Sequence, residues 1–241
     1  GWAFTKGMNL TVDHRRWAIA GAGPNFPKQT FGKVWKSFYL RTIQLLMPVK
    51  KVDRRTVIKE SLTVFRQKGY HNATMSDIAV ACGLLKGSIY HYFSSKEELM
   101  KAVIQYLHEW YKREVFALAY DTGKSGAQKL EELAAISEQI FYQEPGGCLM
   151  ANIGMETANT YPEFAELIKG FFEEWIAALA FIFEEFFDSQ KARSIAELSV
   201  GEIEGAVMLM QVYQDKGYLK RAHQHIKQRF IAAEAAATEK A

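Results

Sequence analysis

Residues 74–93 read TMSDIAVACGLLKGSIYHYF. Thr74-Met-Ser-Asp77 has the form of a capping box, in which the Thr hydroxyl accepts from a free amide and the Asp carboxylate answers back, so a helix starts there. It holds about two turns, because Cys82-Gly83-Leu84 interrupts it and Gly83 takes positive φ without a Cβ clash. A further helix over about Leu85 to Tyr92 follows directly. Two short helices joined by a turn containing Gly form a helix-turn-helix. Ala79 is small where the two must cross closely, while Ile78, Leu84 and Ile89 supply the apolar contacts that fix the angle.

On the upstream side, Val57, Ile58, Ser61, Leu62 and Phe65 share one face of a helix expected from about Asp53 to Lys68, with Gly69 as its left-handed cap and Tyr70 to Ala73 as a loop. On the downstream side, Ser94-Ser-Lys-Glu97 and Ser95-Lys-Glu-Glu98 each offer a capping box for a longer helix through Leu99, Val103, Leu107 and Trp110. From Val52 onward the pattern is helical, without an alternating strand-like run and with only Pro145 and Pro162 as prolines. The fold class is therefore all-α, with a helix-turn-helix unit at residues 50–95 and a larger helical domain at residues 96–241.

The chain of 241 residues, 49% hydrophobic and 24% charged, is of ordinary globular composition. Cys82 and Cys148 make no disulfide framework and lack the close partners that a zinc or redox site needs, which suits a reducing cytoplasm. The longest uncharged apolar stretch, Trp175 to Phe183, is far shorter than the roughly 20 residues of a membrane span. Charge is unevenly placed. Residues 1–51 carry nine Lys or Arg against one acid, residues 52–115 ten against seven, and the remainder a net of −8. A basic front and an acidic back point to a polyanion met by the front alone.

The run from Val57 to Met100 resembles the DNA-binding domain of the tetracycline-repressor (TetR) family. The resemblance rests on Phe-x-x-x-Gly-Tyr at 65–70, Thr-x-x-x-Ile-Ala at 74–79, Gly83-Leu84, Lys-Gly-Ser-Ile-Tyr-x-Tyr-Phe at 86–93 and Ser-Lys-Glu-Glu-Leu at 95–99, in order and spacing together. It implies a recognition helix in the major groove, with Lys86 on a guanine edge or phosphate, Gly87 allowing close backbone approach, Tyr90 and His91 meeting phosphates or thymine methyls, and Ser88 also at the DNA. It further implies that Thr74 and Ser76 hold a phosphate, that Lys96 holds another, and that Lys50, Lys51, Arg54 and Arg55 form a basic lead-in reaching the flanking backbone or minor groove. Tyr92 and Phe93 are read as core aromatics, and Cys82 as a small buried hydrophobe.

The layout of residues 116–241 resembles the family's ligand-binding and dimerisation domain. Gln128 to Tyr142 is amphipathic, Pro145-Gly-Gly147 breaks it, Gly147 to Ile153 opens another helix, and Pro162 starts what reads as the longest helix, Glu163 to Phe187. That helix is apolar on more than one face. A homodimer interface is expected from Phe172, Leu179, Ile182, Phe183 and Phe186 together with Val200, Ile203, Val207 and Met210 of a helix over Ile195 to Tyr213, where Gly201, Gly205 and Ala206 allow close approach. A small-molecule effector is expected to contact Trp110, Phe141, Met150, Asn152, Met155, Glu156, Trp175 and Tyr213.

No HExxH, Walker-type loop or Ser/His/Asp constellation occurs, so neither enzyme activity nor a cofactor is expected. His223 and His225 point to different helical faces, so no metal site is expected, and Cys148, with no base beside it, is read as a buried structural thiol rather than an oxidation sensor. Residues 1–49 fall outside the resemblance and are expected to be disordered or leader-derived, with Met47 near the natural start; the rival reading is a basic amphipathic helix around Phe31 to Leu45. The expected function is a homodimeric repressor released from a palindromic operator by a ligand. An architectural or nucleoid-associated DNA binder on the same fold is the alternative, and a helical enzyme the more distant rival.

Overall fold

The computed structural model describes residues 52–143 and 146–239. Residues 1–49, Lys50, Lys51 and Pro145 lie outside them. Eight α-helices occur among the described residues: α1 (Arg54–Asn72), α2 (Met75–Ala81), α3 (Lys96–Glu114), α4 (Gly126–Gln143), α5 (Leu149–Thr157), α6 (Pro162–Phe183), α7 (Ser189–Tyr213) and α8 (Gly217–Thr238), with 3₁₀ turns at Ser88–His91 and Phe116–Tyr120. No described residue lies in a strand.

Caps set the starts of these helices. Asp53 accepts from the amide of Thr56, Thr74 and Asp77 close the full capping box, and Ser95 accepts from the amide of Glu98. Glu98 also accepts from the amide and hydroxyl of Ser94, 2.8 and 2.7 Å away. The α1 face of Val57, Ser61 and Phe65 is buried, and the Ser61 hydroxyl is satisfied by the carbonyl of Val57 at 2.6 Å. Gly69 breaks α1 at φ 71, ψ 173, and one further turn runs to Asn72 where a loop is expected.

The larger domain differs from its expected layout in three respects. α6 ends at Phe183 rather than Phe187, because the backbone turns over Glu184 to Phe186 before Asp188 caps the next helix. The longest helix among the described residues is α7, and a final helix, α8, packs on α7 and α4. The third difference concerns the face of α7 that meets its own chain. Ala192, Ala196, Ser199, Ile203, Ala206 and Met210 recur every three or four residues and are buried against the rest of the chain.

That burial corrects the expected dimer interface. Leu179, Ile182, Phe183, Val200, Ile203, Val207 and Met210 are already covered within one chain, where α6 and α7 pack together. Phe172 stacks beside Trp175, and Phe186 meets the Phe230 ring edge-on at 5.1 Å. The open face of α7 is a second seam: Leu198, Gly201, Gly205, Met208 and Val212, again three and four residues apart. Leu198, Met208 and Val212 are 68%, 60% and 70% exposed, and apart from the local backbone of α7 itself nothing lies within 4 Å of where a Cβ on Gly201 or Gly205 would sit.

Both cysteines are buried, as expected, and neither is in a disulfide. Cys148 caps α5, its sulfur accepting from the amide of Ala151 at 3.5 Å, and feels the charge of Glu204 of α7. Burial pushes the Cys148 thiol well up, with the Glu204 charge adding to it, and burial pushes Glu204 from 4.5 to about 6. The fold thus favours protonated Glu204, so its contribution to stability is fully present below about pH 4.5 and is lost as pH rises through 6. Glu204→Gln is expected to be more stable than the parent by about 2 kcal/mol at pH 7.5 and equal to it near pH 4. Urea denaturation at the two pH values checks this.

Candidate DNA-reading surface and effector cavity

Three backbone hydrogen bonds shape the turn after α2. The amide of Cys82 donates to Ile78 at 3.0 Å, Gly83 to Val80 at 3.0 Å and Leu84 to Ala79 at 2.8 Å. The last two, with Gly83 at φ 69, form a Schellman closure, which satisfies the end of the helix and turns the chain sharply. The segment that follows is not the expected α-helix over Leu85 to Tyr92 but a single 3₁₀ turn, Ser88–His91, held by Ser88 to Leu85 and Tyr92 to Ile89 bonds. Gly87 and Ser88 bring no side-chain cap, and Ile89, Tyr90 and Tyr92 are branched or aromatic residues of modest helix propensity. Ile89, wholly buried, pins the turn to the core.

This geometry gathers Lys86, Gly87, Tyr90 and His91 on one exposed turn, with Ser88 half-buried at its base. Val80 and Leu85 flank the turn at 78% and 80% exposure. Sequence reasoning passed over both. The signal available was the adjacent pair Leu84-Leu85, of which one short turn can bury only one. Arg55 is exposed, its guanidinium 5.9 Å from the Tyr106 ring. The Thr74 hydroxyl is taken up by Asp77, donating to its carboxylate and accepting from its amide, and Ser76, two residues on, is half-buried.

Lys96 and Arg54 are employed differently from the expectation. Lys96 Nζ donates to the carbonyls of Tyr70 (2.7 Å), Ala73 (3.0 Å) and His71 (3.3 Å) and sits 4.4 Å from the Tyr70 ring centre. Those carbonyls belong to the last turn of α1 and the residue beyond it, where the helix ends and leaves them without helical partners, and the ammonium supplies the missing donors. Arg54 donates to the carbonyl of Tyr92 and to Glu98, with its guanidinium 4.0 Å from the Phe93 ring centre. It ties α1 to the segment behind the 3₁₀ turn.

The two domains meet at the same break. Glu156, in the last turn of α5, accepts from the amides of Tyr70 at 2.8 Å and His71 at 3.3 Å, and its carbonyl lies 3.1 Å from His71 Nε2. A Cβ on Gly69 would stand 2.6 Å from Glu156 Oε1. Tyr70 is buried and meets Tyr161 and Phe164 edge-on. Arg66 donates to the carbonyl of Gly147.

A cavity of about 40 Å³ lies among α3, α4, α6, α7 and α8, with Phe116, Phe141, Trp175 and Leu179 in its wall. A larger groove of about 450 Å³ opens beside it between α1, α3 and α4, with Lys59, Arg66 and Trp110 along it; Tyr111 and Ile140 line both spaces. Of the residues expected at a ligand, Phe141 and Trp175 line the cavity and Trp110 the groove. The others stand elsewhere. Met150 is buried in the core, Met155 is 88% exposed, Tyr213 is exposed beside Tyr218, Asn152 donates to the carbonyl of Gly146, and Glu156 grips the α1 break. Tyr111, Phe116, Ser137 and His223 line the cavity without having been singled out for it.

An exposed turn behind a Schellman-closed helix is the arrangement of a helix-turn-helix, here joined to a larger all-α domain that holds a cavity. Residues 57–103 match the family model for bacterial regulatory proteins of the tetR family, and residues 127–225 match that for the LmrA/YxaF-like transcriptional regulator C-terminal domain. The chain belongs to the TetR family of transcriptional regulators. It is 24% identical over 170 residues to the HTH-type transcriptional repressor DhaR of Mycobacterium sp. (strain GP1), covering 68% of this chain and 84% of the relative. A solved TetR transcriptional regulator from Chloroflexus aurantiacus superposes with a TM-score of 0.64 at 28% identity, over 73% of this chain and 92% of that one. One from Legionella pneumophila gives 0.68 at 22% identity, over 75% and 98%. Among the described residues, no helix is long and apolar enough to cross a membrane.

Proposed function

We propose that this DNA-binding regulator acts in the cytoplasm as a homodimeric, non-enzymatic repressor of a palindromic operator, released by a small molecule bound in the helical domain. The observation that carries the reading is α3. One continuous helix has its first residue hydrogen-bonded to the domain that reads DNA, through Lys96, and lines the cavity near its other end, through Tyr111. A ligand that favours one placement of α3 therefore biases the recognition turn, and by reciprocal linkage DNA biases the cavity. Repression is supported by the relatives, several of which are named as repressors.

The partner surface we assign is the open seam of α7, Leu198, Gly201, Gly205, Met208 and Val212, whose two glycines let a second copy of the helix approach closely. Two recognition turns would then face successive major grooves, about 34–36 Å apart. Lys86, Gly87, Tyr90 and His91 are assigned to the DNA, with Val80 and Leu85 positioned for thymine methyls.

Selection of genomic fragments on the immobilised protein, followed by sequencing, tests this reading. One palindromic motif is expected, and Lys86→Ala and Tyr90→Ala are each expected to weaken its binding about tenfold or more while leaving the helical content unchanged. Fragments without a shared motif would instead support architectural binding.

A further inference from the structure

The cavity is lined mainly by apolar side chains, and two of its polar atoms stand out. Ser137 Oγ and His223 Nε2 both belong to lining residues, both are shut off from solvent, and neither has a hydrogen-bond partner among the described residues. The His223 side chain is only 8% exposed. Buried polar atoms are nearly always paired, so two that are left open on one apolar space mark a place made for a ligand's polar group.

The chemistry of that group follows from the proton on His223. Its Nδ1 lies 3.2 Å from Glu138 Oε1, and a carboxylate only accepts, so Nδ1 carries the hydrogen and donates. Burial holds the ring below the usual histidine range and so keeps it neutral at physiological pH. Nε2 is then an acceptor, and the ligand must bring an O–H or N–H to it. The Ser137 hydroxyl, able to donate as well as accept, suits the lone pair of a ligand oxygen. No Lys or Arg lines the cavity, so an anion there would be buried without a counter-charge. The near-parallel Phe116 and Trp175 rings offer flat surfaces for a ring, and because a space of about 40 Å³ is well below the roughly 150 Å³ of a cavity that holds benzene, the walls must part even for one ring, which disfavours several.

We infer that the effector is a neutral single-ring aromatic compound bearing a hydroxyl, a phenol, which donates to His223 Nε2 and accepts from Ser137 Oγ. The inference rests on the reading of this cavity as the effector site.

Calorimetry on the full chain with three probes of one shape tests it: 4-methylphenol, 1,4-dimethylbenzene and 4-methylbenzoate. The phenol is expected to bind about tenfold or more tightly than the hydrocarbon, with the benzoate not binding. Ser137→Ala is expected to cut that preference to about threefold, and His223→Leu to abolish it with hydrocarbon affinity kept or improved. Equal binding of phenol and hydrocarbon, both releasing operator, would overturn the hydroxyl assignment and leave the effector cavity standing. A preference that survives both substitutions would overturn the assignment of the two residues. Binding of none of the three, with operator binding intact, would overturn the cavity reading and this inference together. The comparison on the unmodified chain decides the first and last outcomes without any variant.

Discussion

Gly69→Ala is expected to destabilise the protein by about 2–4 kcal/mol and to weaken DNA binding with it. At φ 71, ψ 173 the backbone occupies a region open almost only to glycine, and strain there costs about 1–3 kcal/mol. The added methyl would also stand 2.6 Å from Glu156 Oε1 and 3.0 Å from Oε2, the oxygen that holds the amides of Tyr70 and His71. Two causes act at one residue, and a double-mutant cycle separates them. Glu156→Ala alone loses charge-assisted bonds worth about 1.5–3 kcal/mol each, but it also vacates the space. The pair Gly69→Ala with Glu156→Ala should therefore cost less than the sum of the single changes, by about 1 kcal/mol or more. Additive costs from chemical denaturation would mean that the carboxylate does not press on this position.

The second large effect belongs to the open seam of α7. Gly205→Gln with Met208→Glu is expected to halve the mass in solution and lower operator affinity by about 10²–10⁴-fold, because a lone subunit engages one half-site without the partner's effective concentration. The single chain has no reason to suffer. Met208 is 60% exposed, a Cβ at Gly205 meets nothing within 4 Å apart from the local backbone of α7, and glutamine is the better helix former by several tenths of a kcal/mol. Sedimentation and a thermal melt at low concentration check both halves. A dimer that persists in the double variant would refute the seam as the pairing surface.

The contrast between these two sites shows what the sequence makes legible. Caps and turns announce themselves because their chemistry is local: the Thr74–Asp77 box, the Ser95 cap, Gly83 and the stop at Gly69 all follow from neighbours within a few residues. The register of α7 was equally plain, but the helix has two apolar seams, and only tertiary packing decides which is filled by its own chain. Val200, Ile203, Val207 and Met210 were thus assigned outward when they point inward. Lys96 misled for a related reason. Nothing local demands a cation there, and the carbonyls it serves lie more than twenty residues back, beyond the Gly69 break. The cavity was least legible, since Tyr111, Ser137 and His223 come from three helices with no shared motif, and α8 carried no signature of its own.

The filled inner seam of α7 also bears on genetics. A protomer whose core closes on itself folds without waiting for a mate, so a chain damaged only at the recognition turn remains well folded and competent to associate. Under pairing along the outer seam, such a chain produced beside a sound one would draw it into mixed assemblies that read only half of a palindrome. Loss-of-function alleles at Lys86 or Tyr90 would then be dominant in a cell carrying both copies, whereas alleles that unfold the protomer, such as those at Gly69, would be recessive.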